Sequence, residues 1–290
     1  MISLSSLKQQ IEAKGAQLYF YKKPSILPFI SIYSTIIKHQ GKVAKGYSEA
    51  IKDKNGFLVS TMEAIERLTL FTATPKINNS NGIAIHTLEK EAQNRALCEL
   101  LEREITQRAW LSEYPFAPII PQTIKLKILI TILKKIHDWS YSCFTVKTDR
   151  GVYLCSYLKH PDKGFVFDAT FRFEQNLITS MQLNLIFSHL RQITHEPKII
   201  SQFSKDKSPI TQIKFYRNPL NSAALKTFKL NQSSKLIYTI PSAEKFKSIK
   251  LTNPLQTPTY CYQYSNDNFL PLKWGNDSII NKEGWPHPIG

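Results

Sequence analysis

The chain has no apolar run long enough to cross a membrane. A transmembrane helix needs about 18–20 consecutive apolar residues. The longest stretches here, around Phe29–Ile37 and Leu126–Leu133, are short and interrupted by polar residues. The opening segment, MISLSSLKQQIEAKG, lacks the charged and apolar regions of a secretory signal. Cysteine is sparse, at Cys98, Cys143, Cys155 and Cys261, and no CxxC spacing occurs. With no export signal, reduced thiols and a cytoplasmic location are expected. No HExxH and no GxGxxG is present. Acidic residues are few, 22 against 38 Lys+Arg, which leaves a net charge of +16. Yet Arg is scarce beside Lys, and the lysines are scattered along the chain. Bidentate phosphate recognition favours Arg, so this charge reads as a solvated lysine surface, with no nucleic-acid partner expected. A composition of 42% hydrophobic and 21% charged residues over 290 residues excludes a disordered or collagen-like chain.

The patterning is that of an α+β protein. Leu4, Leu7 and Ile11 predict a short helix stopped by Gly15. Leu18–Tyr21 and Leu27–Thr35, rich in β-branched and aromatic residues, predict strands. From Gly56 to about Phe71 the period becomes helical, with Leu58, Met62, Ile65 and Leu68 recurring. A loop at Pro75–Gly82 and a brief strand at Ile83–Ile85 lead to a long helix from about Thr87 to Trp110. A further helix is predicted over Ile124–Ile136, then a hairpin of Tyr141–Lys147 and Val152–Leu158, a strand at Gly164–Ala169, and a helix over Phe173–Ile193. Beyond Lys198 the pattern loosens, with strand-like pieces at Leu236–Ile240 and Thr259–Tyr264. With no linker in evidence, a single domain over 1–290 is expected. It comprises an N-terminal part (1–40), a core (41–195) and a C-terminal region with a Pro-containing tail (196–290).

The most informative feature is a near-repeat. Glu63-Ala-Ile-Glu66-Arg67 lies on the first long helix and Glu99-Leu-Leu-Glu102-Arg103 on the second. Residues i and i+3 share a helix face, and Glu91, eight positions before Glu99, lies about 80° from it at about 100° per residue. Carboxylates gathered in this way repel one another, and some take up protons unless a cation intervenes. Mg²⁺ is typically shared between one or two carboxylates and substrate phosphates. Paired acidic helices therefore suggest a metal–nucleotide site, in which Arg67 and Arg103 can orient carboxylates or reach phosphate oxygens. Gly41–Ser48 has the two glycines of a phosphate loop, but Tyr47 stands where Lys is required and no helix follows, so it is not a Walker A motif.

Taken together these residues resemble the YcaO superfamily. The resemblance rests on Lys45-Gly46-Tyr47-Ser48 followed by Ser60-Thr-Met-Glu63-Ala-Ile-Glu66-Arg67. It continues with Asn81-Gly82-Ile83-Ala84, then Glu91 through Glu99-Leu-Leu-Glu102-Arg103, and ends with Trp285-Pro286-His287-Pro288-Ile289-Gly290. It implies an α+β fold of mixed or antiparallel sheets packed with long helices that carry the paired glutamates. It also implies an enzyme that uses ATP and Mg²⁺ to activate peptide backbone amides in the biosynthesis of a ribosomally made, modified peptide such as a bacteriocin. Azoline-forming cyclodehydration is the leading reaction, with thioamide formation as a related one. On this resemblance Glu63, Glu66, Glu99 and Glu102 hold Mg²⁺, while Lys45, Thr87, Glu91 and Arg103 also line the nucleotide site. Pro286, Pro288 and Gly290 form a tail directed toward the active site. The partners implied are a precursor peptide and a separate leader-binding or sulfur-delivery protein, and a homodimer is possible.

The chain departs from the family pattern at three places. Thr87 stands where an Asn is common. The later helix that carries an Arg…Glu pair and a QSR segment in the family aligns with Ser180, Asn184, Phe187 and His189. Gly290 replaces a final Pro. The alternative is thus a catalytically degraded scaffold, or a peptide-binding subunit of a synthetase complex.

Overall fold

The structure, a computed structural model, describes residues 3–27, 29–73, 81–194, 209–228 and 236–270. The chain divides into two compact units, one from Met1–Leu100 with Ala243–Asp267 and the other from Leu101–Ser242 with Asn268–Gly290. The first unit thus closes around a segment from far along the chain, in the region where the sequence pattern loosens.

In the first unit, helix α1 (Leu4–Ala13) is capped by Ser3, whose Oγ accepts the Ser6 N–H at 3.1 Å. It turns Leu7 and Ile11 into the core, and Gly15, at φ +73°, takes the chain out of it. Strands β1 (Gln17–Pro24), β2 (Ser31–His39) and β3 (Lys42–Ala50) form an antiparallel sheet in that order. The second strand begins later than the Leu27 start expected. The third was not expected, because its inward positions are the small residues Ala44, Gly46 and Ser48, which carry no hydrophobic signature.

Helix α2 (Asp53–Thr72) packs on this inner face. Thr35 Oγ1 lies 2.8 Å from Ser60 Oγ and 3.2 Å from Thr61 Oγ1. The approach is closest at Gly46, where a Cβ would stand 2.0 Å from the Ser60 carbonyl oxygen and 2.4 Å from the Ala64 nitrogen. Only glycine fits there.

Strand β4 (Ile83–His86) pairs antiparallel with β10 (Tyr260–Ser265), which pairs in turn with β9 (Lys247–Leu251). One face of this sheet contributes Ile83, Ile85, Leu251 and Cys261 to the core that also holds Ala64, Ile65 and Leu68 of α2. On the other face Tyr262, with Tyr260 and Tyr264 beside it, packs on Ala92 and Ala96 of helix α3 (Glu89–Trp110). The alternating tyrosines of β10 are therefore packing residues. Helix α3 is unbroken, and the division between the units falls between its residues Leu100 and Leu101.

The second unit is built on an antiparallel sheet of β5 (Ala117–Pro118), β6 (Ser140–Val146), β7 (Val152–His160) and β8 (Gly164–Arg172). Helix α4 (Ile124–His137) follows the expected span closely, whereas α5 (Ile178–Thr194) begins five residues later than expected, after a 3-10 turn at Gln175–Leu177. Helix α5 sets Met181 and Leu185 against Leu154 of β7. A further short helix, α6 (Pro209–Tyr216), was not expected. The strand expected at Leu236–Ile240 is reduced to an isolated bridge between Tyr238 and Thr148.

Candidate functional site

Glu63 and Arg67 of α2 grip the back of strand β3. One Glu63 carboxylate oxygen accepts the Tyr47 N–H at 2.7 Å, and the other accepts from Arg67 Nη2 at 2.6 Å. Arg67 Nη1 donates to the Lys45 carbonyl at 2.8 Å. The pair thus brackets Gly46, the point of closest approach between strand and helix. Lys45 is exposed, and its Nζ lies 5.0 Å from the centre of the Tyr47 ring. Part of what the sequence assigns to phosphate chemistry here also fastens a strand.

Glu66, one helical turn from Glu63, accepts the Ile85 N–H of β4 at 3.0 Å. Burial, reinforced by the negative charges of Glu99 and Glu63, pushes its carboxyl well above the usual range. The hydrogen bond from Ile85 and the Arg67 charge oppose this and do not overcome it. The Cys261 thiol of β10 is also pushed up, first by burial and then by Glu66 and Glu99. The carboxylates of Glu63 and Glu99 thus act on Glu66 through their charge, within the first unit. Glu91 lies exposed on the first turns of α3. Thr87 stands two residues before that helix, next to His86, whose imidazole is held below its usual range by burial and by Arg95.

Further along α3, Glu102 and Glu104 are buried. Glu102 Oε1 lies 3.6 Å from Arg103 Nε. The Glu102 carbonyl accepts from Thr106 Oγ1, which is also 2.8 Å from the Tyr153 hydroxyl of β7. Glu104 lies outside both ExxER motifs and was not singled out in the sequence. It is held by Arg108 and by the Leu270 N–H at 2.7 Å, and Arg108 also donates to Glu113 at 2.8 Å. Its only sequence signal is the i,i+4 spacing to Arg108.

The positions aligned with the family's third motif are divided. Ser180 and Asn184 are exposed, whereas His189 is fully buried, its Nε2 2.8 Å from Ser156 Oγ of β7. Burial holds the His189 imidazole down, to about 4, against the opposing pull of Asp168 and Ser156. His189 is thus a core residue of the second unit. Pro286, Pro288 and Gly290 lie outside the described residues.

Among the described residues, no group of three or more His, Cys, Asp or Glu side chains forms a ready-made metal cage. The donor set does suit a divalent cation, because Glu66 is a buried carboxyl crowded by two others. Also among the described residues, no helix is long and apolar enough to cross a membrane.

This combination of antiparallel sheets and long glutamate-bearing helices is a YcaO-like α+β fold. The YcaO from Methanopyrus kandleri, solved bound with AMPPCP and Mg²⁺, superposes with a TM-score of 0.62 at 10% identity, covering 95% of this chain and 94% of that one. The E. coli microcin synthetase McbBCD complex matches with a TM-score of 0.56 at 9% identity, covering 86% and 88%. A heterocyclase in complex with substrate and cofactor gives 0.63 at 9% identity, covering 91% of this chain and 52% of the heterocyclase. By sequence, no family model and no curated protein matches the chain.

Proposed function

We propose that the protein binds ATP with Mg²⁺ and activates backbone amides of a ribosomally made precursor peptide, with azoline formation as the leading reaction. The observation that carries this reading is Glu66, a buried carboxyl bound to the Ile85 N–H and pressed by the charges of Glu63 and Glu99. Such crowding is costly in an empty protein and is relieved by a divalent cation. The YcaO-like fold, and a neighbour solved with AMPPCP and Mg²⁺, support the choice of ligand.

In this reading Glu66, Glu99 and Glu102 hold Mg²⁺, and Glu63 does so while keeping strand β3 in place. Lys45, Thr87, Glu91 and Arg103 line the nucleotide. Bound Mg²⁺ supplies neutralisation of phosphate charge. The chain's own contribution is placement: Arg67 fixes Glu63, and the Ile85 N–H fixes Glu66. The tail residues Pro286, Pro288 and Gly290 are proposed to approach the reacting amide. Synthetase complexes among the neighbours support a precursor peptide delivered by a partner protein.

Calorimetric titration with ATP in the presence and absence of Mg²⁺ tests the nucleotide site. Micromolar, Mg²⁺-dependent binding that Glu66→Gln and Glu102→Gln each weaken about tenfold or more is expected. Absence of binding in the folded protein refutes it. A second reading, a non-catalytic YcaO-like subunit, is favoured by one observation, the burial of His189 at a position where the family's third motif contacts nucleotide. Under that reading candidate precursor peptides bind but no ATP is consumed.

A further inference from the structure

Helix α4 of the second unit has two apolar faces. Leu126, Leu129 and Leu133 form the buried one. On the outside, Ile120, Ile124, Ile128, Ile132 and Ile136 recur at every fourth residue from the lead-in loop to the last turn. Ile120, Ile124, Ile128 and Ile136 are 76%, 75%, 53% and 67% exposed, and Ile132 between them is half-buried. Scattered exposed apolar side chains need no explanation, but a continuous ridge of them does.

The helix is firmly built, so the ridge is not a product of fraying. Thr123 caps its start by accepting the Leu126 N–H at 3.3 Å. Asp138 closes its end in the left-handed conformation at φ 56°, and the Trp139 N–H returns to the Leu133 carbonyl at 3.0 Å.

At about 100° per residue, Lys127 and Lys134 run along one side of the ridge, Lys125 and Lys135 lie within its arc, and α4 contains no acidic residue. None of these lysines forms an ion pair among the described residues. Lys134 and Lys135 suit the negative end of the helix dipole, but Lys125 and Lys127 lie in its first turns, where the dipole disfavours them.

We propose that this face of α4 docks an acidic helix of a partner protein, with the isoleucine ridge seated between apolar ridges of that helix and the four lysines meeting its carboxylates. Side chains four apart form a ridge that fits the groove between similar ridges on a facing helix. Anchors repeating along 14 residues, about 21 Å of helix, match helix-to-groove recognition.

Charge opposes a second copy of this chain as the occupant, since pairing two such faces brings together two sets of four ammonium groups. A lipid surface fits less well. At about 100° per residue Lys135 lies about 20° from Ile124 around the helix, so immersing the ridge would immerse an ammonium. This inference is independent of the nucleotide site, which lies on other elements.

The test introduces a photo-crosslinking amino acid at Thr131, within the exposed arc, and in the buried core at Leu129 as control, in the cells that make the protein. The crosslinked protein is identified and then produced in pure form for titration against the full chain. A 1:1 complex is expected, crosslinked through an acidic helix. Ile124→Ser with Ile128→Ser weakens it about tenfold or more, without change in melting temperature. Lys125→Glu with Lys127→Glu weakens it too, and reversal of the partner's carboxylates restores it. No specific crosslink, or one that maps to a surface other than an acidic helix, overturns the proposal. Two further outcomes also overturn it: sedimentation of the chain alone as a dimer abolished by Ile128→Ser, or Ile128-dependent binding to vesicles containing phosphatidylglycerol.

Discussion

Acid should weaken the second unit through one side chain, His189. A free imidazole titrates near 6.5, and burial on the inner face of α5, against Ser156 of β7, holds this one to about 4. Above pH 6.5 the folded and unfolded chains both carry it neutral, and no difference arises. As pH falls the unfolded chain takes up the proton first, so stability is lost progressively until both states are protonated below about 4. At 1.36 kcal/mol per pH unit the complete loss is about 3 kcal/mol, of which about 2 kcal/mol is gone by pH 5.

The perturbation is His189→Gln, which keeps a polar partner for Ser156 and removes the titration. Urea unfolding would be followed by tryptophan fluorescence, to which Trp110 and Trp139, both buried in the second unit, contribute. Any difference between variant and parent at pH 7.5 serves as the baseline. The gap between them must then shift by about 2 kcal/mol in the variant's favour by pH 5. Other titrating groups, including Glu66 with its opposite sign, are common to both proteins and cancel. Parallel curves over this range would show that His189 is not held neutral by the fold, and the assignment of its environment would be wrong.

Three other outcomes can be checked directly. Glu66→Gln should raise the melting temperature of the ligand-free protein at pH 7, because a carboxyl raised by folding destabilises the native state as pH climbs through its folded value. The same variant should lose the stabilisation that Mg²⁺ and ATP confer on the parent, and thermal shift with and without ligand reads both effects. Gly46→Ala should destabilise by about 3 kcal/mol or more in urea titration, since the added carbon meets the backbone of α2, which has no flexible end to yield. All four cysteines are buried and free, so a thiol reagent should label none of them rapidly in the native protein and all four in denaturant.

What the sequence disclosed and what it hid divide along physical lines. Helices α2 and α3 were legible because their apolar residues recur at helical spacing, and the paired glutamates were legible because i,i+3 spacing is itself a geometric statement. Strand β3 was not, since Ala44, Gly46 and Ser48 are too small to register as a buried face. Their burial reflects the nearness of α2, a tertiary fact. Strand β9 was missed for the opposite reason: Lys247, Ser248, Ile249 and Lys250 are exposed, so no alternation marks them. The carboxylates themselves show the same division. That Glu66 belongs with Glu99 could be read from the two motifs, but that Glu63 also ties down Tyr47, or that Glu104 anchors Leu270, depends on which segments the fold brings past the helix.

The return of β10 to β4 has a consequence for the order of events during synthesis. The Met1–Leu100 part of the first unit leaves the ribosome before the rest of that unit, and its second sheet lacks a partner for β4 until Tyr260–Ser265 has been made. At about 5–20 residues per second, the 173 residues between His86 and Tyr260 take about 9–35 s to translate. Throughout that interval Ile83 and Ile85 await Leu251, Leu255 and Cys261, while the main part of the second unit, Leu101–Ser242, emerges complete enough to begin folding. The β4 side of this sheet is thus made early and closed late, and the nascent protein carries an unfinished apolar sheet that chaperones can hold.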